Sequence, residues 1–316
     1  MIISASRRTD IPAFFGEWFM HRVREGFVYR QNPYNPRQVK RFSLCPETVQ
    51  AIVFWSKDPR PFMPSLPTLD DYGFGYYFQF TLNDYPTWIE PLAPLEKRIK
   101  AFWRLAELLG PDRVCWRYDP IILTPRMSVE YHMERLAYLA QQVGPYTSRL
   151  TVSWLDYYAK TKRRLEQAAE KRNETFLDLD GCGQHGQDLG RFLKQVTDRY
   201  GLQLVTCAEH WGPEGSQEGS CIDGRLLKKI FGCQVPVGSD PGQRQGCRCS
   251  PSVDVGAYDT CGHLCLYCYA HRGERAVARR WARYRVEAPG LAARLDEERP
   301  EPQGLRPGSR IQGTLL

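Results

Sequence analysis

The run Ala51-Ile52-Val53-Phe54-Trp55, closed by Ser56-Lys57-Asp58-Pro59, carries the grammar from which the fold is read. Five consecutive apolar residues without alternation describe a strand buried on both faces, as in a parallel sheet. Polar and charged residues follow at once. The pattern recurs in both directions along the chain. Upstream, Met1 to Ser6 is apolar or small and ends in Arg7-Arg8-Thr9-Asp10. Downstream, Tyr76-Tyr77-Phe78-Gln79-Phe80-Thr81 ends in Leu82-Asn83-Asp84, and Arg113 to Pro120 carries Arg117 and Asp119. Arg149 to Trp154 stops before Asp156, and Gly201 to Cys207 leads to Glu209-His210.

Helical spacing fills the intervals. Phe15, Trp18, Phe19, Arg22 and Val23 predict a helix over 14–25 with Gly26 as its stop. Ile99, Phe102, Trp103 and Ala106 predict another over 94–109, and further helices are expected over 129–143, 158–172 and 187–200. The Pro- and Asn-rich stretch around 32–36 reads as a loop. Strands alternating with helices of this length argue for βαβ units and a parallel sheet, an α/β fold of about six units. In a β/α barrel the site lies at the C-terminal ends of the strands. Arg7, Arg8, Asp10, Lys57, Gln79, Arg117, Asp119, Asp156 and Glu209 all fall there. Helix capping accounts for Asp10, Asp84 and Asp156, but poorly for Arg7, Gln79, Arg117 and Glu209.

The chain of 316 residues is long enough for one barrel-sized core, with 42% hydrophobic and 25% charged residues. No stretch approaches the run of about 20 apolar residues that a membrane span needs. Met1 to Arg7 has too short an apolar part, with its arginines on the wrong side, for a secretory signal. Eleven cysteines without such a signal point to the reducing cytoplasm and to metal ligation or catalysis rather than disulfides. A net charge of +7 permits anionic partners without demanding them. The seventeen tyrosines and eight tryptophans read first as core and loop filling.

Near the C-terminal end stands Tyr258-Asp259-Thr260-Cys261-Gly262-His263-Leu264-Cys265-Leu266-Tyr267-Cys268-Tyr269-Ala270. Three thiolates on so short a loop can converge on one metal centre, and thiolates select zinc or iron–sulfur clusters. Zinc would need a fourth ligand, for which His263 or His271 is available, whereas a 4Fe–4S cluster held by three cysteines keeps one iron open. Buried structural thiols are the remaining alternative.

This spacing, with Tyr267 just before the third cysteine, resembles the signature of the radical S-adenosylmethionine (SAM) superfamily. The run Cys268-Tyr269-Ala270 is similar to that of spore photoproduct lyase and its relatives. The sequence from Ser4 to the triad resembles an uncharacterised family that carries the triad at its C-terminal end, over roughly the first 275 residues. The resemblance implies a partial (βα)6-type barrel in permuted order, the triad loop closing over its mouth. It also implies a 4Fe–4S cluster on Cys261, Cys265 and Cys268, and SAM bound through its amino and carboxylate groups. One electron would then give methionine and a 5′-deoxyadenosyl radical that abstracts hydrogen from a substrate. Tyr267 would lie against the adenine. Arg7, Arg8 and Asp10 are the candidates for holding SAM, and Arg117, Asp119 and Glu209 for the chemistry. A recognisable Gly-Gly-Glu element for the SAM amino group is missing. A flavodoxin- or ferredoxin-like electron donor is the implied partner.

A second group comprises Cys207, Cys221, Cys247 and Cys249, four thiols that could form an auxiliary iron–sulfur cluster or a zinc site. Composition divides the chain into a barrel over 1–211, a Cys-, Gly- and Ser-rich segment with the cluster loop and a basic helix over 212–285, and a charged flexible tail over 286–316. Two other functions compete. One is a non-catalytic nucleic-acid-binding protein stabilised by zinc or a cluster, its phosphate contacts made by Arg272 to Arg285. The other is a zinc hydrolase using Glu209 and His210 near Cys207.

Overall fold

A computed structural model describes residues 1–33, 35–156, 158–177, 183–207, 217–235, 238–240, 243 and 246–291. The chain opens with β1 (Ile2–Ala5), α1 (Ile11–Phe14), α2 (Gly16–Glu25) and a hairpin of β2 (Phe27–Gln31) and β3 (Val39–Ser43). It continues through β4 (Ala51–Ser56), α3 (Leu66–Asp71), β5 (Tyr76–Thr81), α4 (Leu95–Leu109), β6 (Val114–Ile121) and α5 (Val129–Val143). Then come β7 (Arg149–Trp154), α6 (Ala159–Glu170), α7 (Gly183–Tyr200) and β8 (Gln203–Cys207). The final elements are β9 (Gln217–Gly219), α8 (Gly224–Phe231), β10 (Ser252–Asp254) and α9 (Glu274–Trp281).

The fold is α/β. Eight strands form one sheet in the order β10-β1-β4-β5-β6-β7-β8-β9, every neighbouring pair parallel. The sheet is open: β10 and β9 are its two edges and do not pair with each other. From β1 to β9 each new strand of the sheet is laid beside the one before, the usual arrangement of sequential strands. The six strands expected from the sequence are β1, β4, β5, β6, β7 and β8. The edge strands β9 and β10 were not expected, because three residues each, Gln217–Gly219 and Ser252–Asp254, are too few to show a period. The supposed loop at 32–36 is the tip of the β2–β3 hairpin, whose register pairs Phe27 with Ser43 and Gln31 with Val39.

The strand alternation sorts side chains onto two unlike faces. Ile3, Ile52, Phe54, Phe78, Phe80, Trp116, Leu150 and Leu204 point to one face and bury the apolar stripes of α2, α3, α4, α5 and α7. Ile2, Ala51, Val53, Tyr77 and Cys115 point to the other and meet Ile222, Leu226 and Leu227 of the segment containing α8. Both faces are thus apolar at the centre, which is why the strands read as unbroken hydrophobic runs. Helices α2, α3, α4, α5 and α7 thus share one face. The opposite face, toward the strands' C-terminal ends, carries Gln79, Arg117 and Cys207. Among the described residues no helix is long and apolar enough to cross a membrane.

Candidate functional site

The loop over 258–272 lies across the C-terminal ends of β1 and β4. Its ends are tied by Asp259, whose backbone N–H donates to Ala270 O at 2.8 Å and whose carboxylate accepts from Arg272 Nε at 2.8 Å. His263 Nε2 contacts Asp10 Oδ2 at 2.8 Å. The Asp10 carboxylate also caps α1 through Ala13 N–H and accepts from Ser56 Oγ and the Lys57 amide. Arg164 of α6 holds the outer side, donating to Leu266 O at 2.6 Å, Cys268 O at 2.5 Å and His271 O at 3.1 Å. Leu264, between the first two cysteines, sits at φ 53°, a left-handed conformation that a leucine adopts only at a cost. So many anchors hold this turn that the strained residue is tolerated.

Burial raises the thiols of this loop above their ordinary range. Cys261 is pushed up to about 12 by burial, with Asp10 and Cys268 adding to it. Cys265 is driven well up by burial although Lys57 opposes, and Cys268 rises for the same reason against Arg164 and Lys57. His271 Nε2 donates to Cys265 O at 3.0 Å, and its Nδ1 faces Gly273 N–H and Arg164. Both ring nitrogens are therefore engaged, and His263 spends Nε2 on Asp10.

Beneath the loop sits a buried charge group. Glu90 accepts from Lys57 Nζ at 2.7 Å, from Asn83 Nδ2 at 2.9 Å and from the Tyr267 hydroxyl. Burial opposes ionisation of Glu90, but Lys57, with the Tyr267 hydroxyl and Arg98, outweighs it and holds its carboxyl below the usual range. Glu90 Oε2 remains buried with no hydrogen-bond partner among the described residues.

A cavity of about 980 Å³ opens beside this group, at the upper end of the roughly 300–1,000 Å³ typical of small-molecule sites. Tyr267 and Cys268 form one wall, and Arg7, Arg8, Arg117 and Asp119 line it as well. Arg117 is bonded to Asp119 through Nε at 3.0 Å and again through Nη2, and Ser153 Oγ also donates to that carboxylate. Burial raises the Asp119 carboxyl, yet Arg117 and Ser153 win and leave it ionised below the usual range. On another wall stand Cys207, Cys221, Cys247 and Cys249. Cys207 Sγ lies 3.3 Å from Cys221 Sγ, well beyond the about 2.05 Å of a disulfide. Among the described residues no three His, Cys, Asp or Glu side chains stand arranged around a common point as metal ligands do.

Residues 2–270 match the model of a protein family described as a domain of unknown function, DUF1848. The chain belongs to the DUF1848 family. None of the curated proteins compared with it matches. Family membership thus covers β1 through the triad and leaves α9 outside the matched span.

In this DUF1848 chain Arg7, Arg8, Arg117, Asp119, Tyr267, Cys268 and all four cysteines of the second group line a single cavity. Asp10, Cys261 and Cys265 do not line it: Asp10 is turned into the anchor of the loop, and Cys265 is buried beneath it. Glu209 and His210 lie outside the described residues, as does most of the tail over 286–316. Of the basic segment after the triad, Arg275, Arg279, Arg283 and Arg285 are exposed, and Arg272 pairs with Asp259. Sequence reasoning missed Glu90 and Arg164. Glu90 stands in a Pro-flanked loop and Arg164 in a helix crowded with lysine and arginine, so neither carried a local signal.

Proposed function

We propose that this chain is a radical SAM-type enzyme built on a partial β/α barrel, with Cys261, Cys265 and Cys268 holding a 4Fe–4S cluster at the mouth. The single observation that carries this reading is the placement of the triad loop. Three thiols, two of them out of contact with the cavity and the third lining it, are anchored over the C-terminal ends of parallel strands. That is where β/α folds place their chemistry.

The residues present fit the cluster and SAM. The donor set is three thiols; His271 has both ring nitrogens engaged, and His263 is held by Asp10 through Nε2. Lys57 and Arg164 face the sulfurs and offset the negative charge of bound thiolates. When bound, the cluster supplies the electron for reductive cleavage of SAM to methionine and a 5′-deoxyadenosyl radical, the hydrogen-abstracting agent. Arg7, half-buried and with a buried Nη2 that has no hydrogen-bond partner among the described residues, is a ready donor for a carboxylate, and Arg8 lies beside it. Tyr267, its hydroxyl fixed on Glu90, presents its ring to the cavity. Arg117 keeps Asp119 ionised as an acceptor for a substrate hydroxyl or amine. The electron donor is a flavodoxin- or ferredoxin-like protein, and the place of work is the cytoplasm.

Anaerobic purification tests the proposal. The expected protein is brown, bleaches with dithionite, carries about four irons at the triad, and forms 5′-deoxyadenosine from SAM and dithionite. Cys265→Ala abolishes both the triad iron and the product. Colourless protein, or iron-loaded protein that leaves SAM intact, overturns it.

A further inference from the structure

We infer that Cys207, Cys221, Cys247 and Cys249 form a second metal site, a mononuclear tetrathiolate centre of the zinc type. The inference stands apart from the reading of the triad.

The four residues come from three places: the end of β8, the turn between β9 and α8, and the segment leading into β10. Their side chains lie near one another on the face of the sheet opposite α2, α3, α4, α5 and α7. Cys207 Sγ and Cys221 Sγ are 3.3 Å apart, and Cys221 and Cys249 belong to one buried cluster against which Cys207 and Cys247 pack. The four side chains must draw together to enclose an ion. A tetrahedral zinc with bonds of about 2.3 Å places its sulfurs about 3.8 Å apart, close to the separation of Cys207 and Cys221. A 4Fe–4S cube seats each thiolate on a separate iron and spreads them further.

The surroundings suit a dianionic centre. Binding follows Zn²⁺ + 4 RSH → [Zn(SR)₄]²⁻ + 4 H⁺, so two negative charges are left in a buried place. Two guanidiniums are already there. Arg117 Nη1 lies 2.8 Å from Cys221 Sγ, and Arg7, half-buried over the Trp55 ring, lines the same cavity as Cys249 and Cys221. Ile222 N–H points at Cys249 Sγ at 3.5 Å, the kind of backbone donation that supports a ligating thiolate. Among the described residues the segment from β9 to β10 carries α8 as its one helix, and a metal at this point staples it to the sheet and shapes one wall of the cavity.

The test uses full-length Cys265→Ala protein, so that iron at the other cysteine group does not interfere. Cells are grown with zinc and, separately, with cobalt. The expected result is about one zinc per chain, or a cobalt form with thiolate charge-transfer absorption and the intense d–d bands of tetrahedral sulfur coordination. Adding Cys221→Ser removes the ion. Should that variant be insoluble, Cys247→Ser, at a half-exposed position, serves instead, and native alkylation followed by mass spectrometry gives an independent readout. Protection of all four thiols with zinc and their labelling after chelation supports the site. Cys265→Ala protein that binds neither ion, zinc that survives loss of Cys221 or Cys247, four residual irons lost with Cys221, or a Cys207–Cys221 disulfide in the intact protein each overturns it.

Discussion

Lys57 Nζ donates to Glu90 Oε1 at 2.7 Å, and the two side chains are only 14% and 1% exposed. A strand end and a loop 33 residues away thus share a buried ion pair directly under Tyr267. Removing one member leaves the other charged and desolvated, which typically costs about 3–5 kcal/mol. Lys57→Met is therefore expected to lower stability by that amount. The double variant Lys57→Met/Glu90→Leu should recover a large part of it. Denaturant titration of the four proteins of the cycle measures this, and additive single effects would show that the pair is not coupled.

Arg164 is the only side chain of α6 described as donating to the triad loop, and it satisfies three carbonyls at once. Lysine carries one point charge and cannot reproduce that fork. Arg164→Lys and Arg164→Ala should both leave the sheet folded and speed amide exchange over 264–271, the alanine more. Hydrogen exchange unchanged in this loop would mean that Arg164 does not hold it.

Gly256 approaches β1 so closely that an added Cβ would lie 2.0 Å from Ser6 Oγ and 2.5 Å from Ser6 Cβ. Ser6 and Ser4 both donate to Asp254, so the clash falls on the joint between β10 and β1. Gly256→Ala is expected to destabilise by about 1–3 kcal/mol, the usual penalty for overpacking. The added substitution Ser6→Gly should relieve it, read from the thermal midpoints of the single and double variants.

His132 of α5 is fully buried, with Nε2 2.8 Å from Ile122 O and Nδ1 2.7 Å from Tyr118 Oη. Nε2 donates and Nδ1 accepts, which requires the neutral ring. Burial lowers its pKa from 6.5 to about 4. The unfolded chain therefore binds this proton more readily than the folded one between those values, so stability falls with falling pH. The contribution is complete above pH 6.5 and is lost on the way down to pH 4, amounting to about 3 kcal/mol. His132→Gln should flatten the difference in stability between pH 7 and pH 4 by that much. An unchanged difference would show that His132 does not drive it.

What the sequence determined by itself was whatever repeats locally. Apolar runs such as Ala51 to Trp55 and helical stripes such as Ile99, Phe102 and Ala106 report burial over a few neighbouring residues, so six sheet strands and most helices were legible. The triad was legible because its three cysteines lie within eight residues. Tertiary structure alone decided which side of the sheet faces which partner, that β9 and β10 extend the sheet and leave it open, and that Cys268 of the triad shares a cavity with the second cysteine group. It alone also brought Asp10 to His263, Glu90 to Lys57 and Arg117 to Cys221. These contacts join residues 253, 33 and 104 positions apart, and their strength comes from exclusion of water, which exists only once the chain is packed.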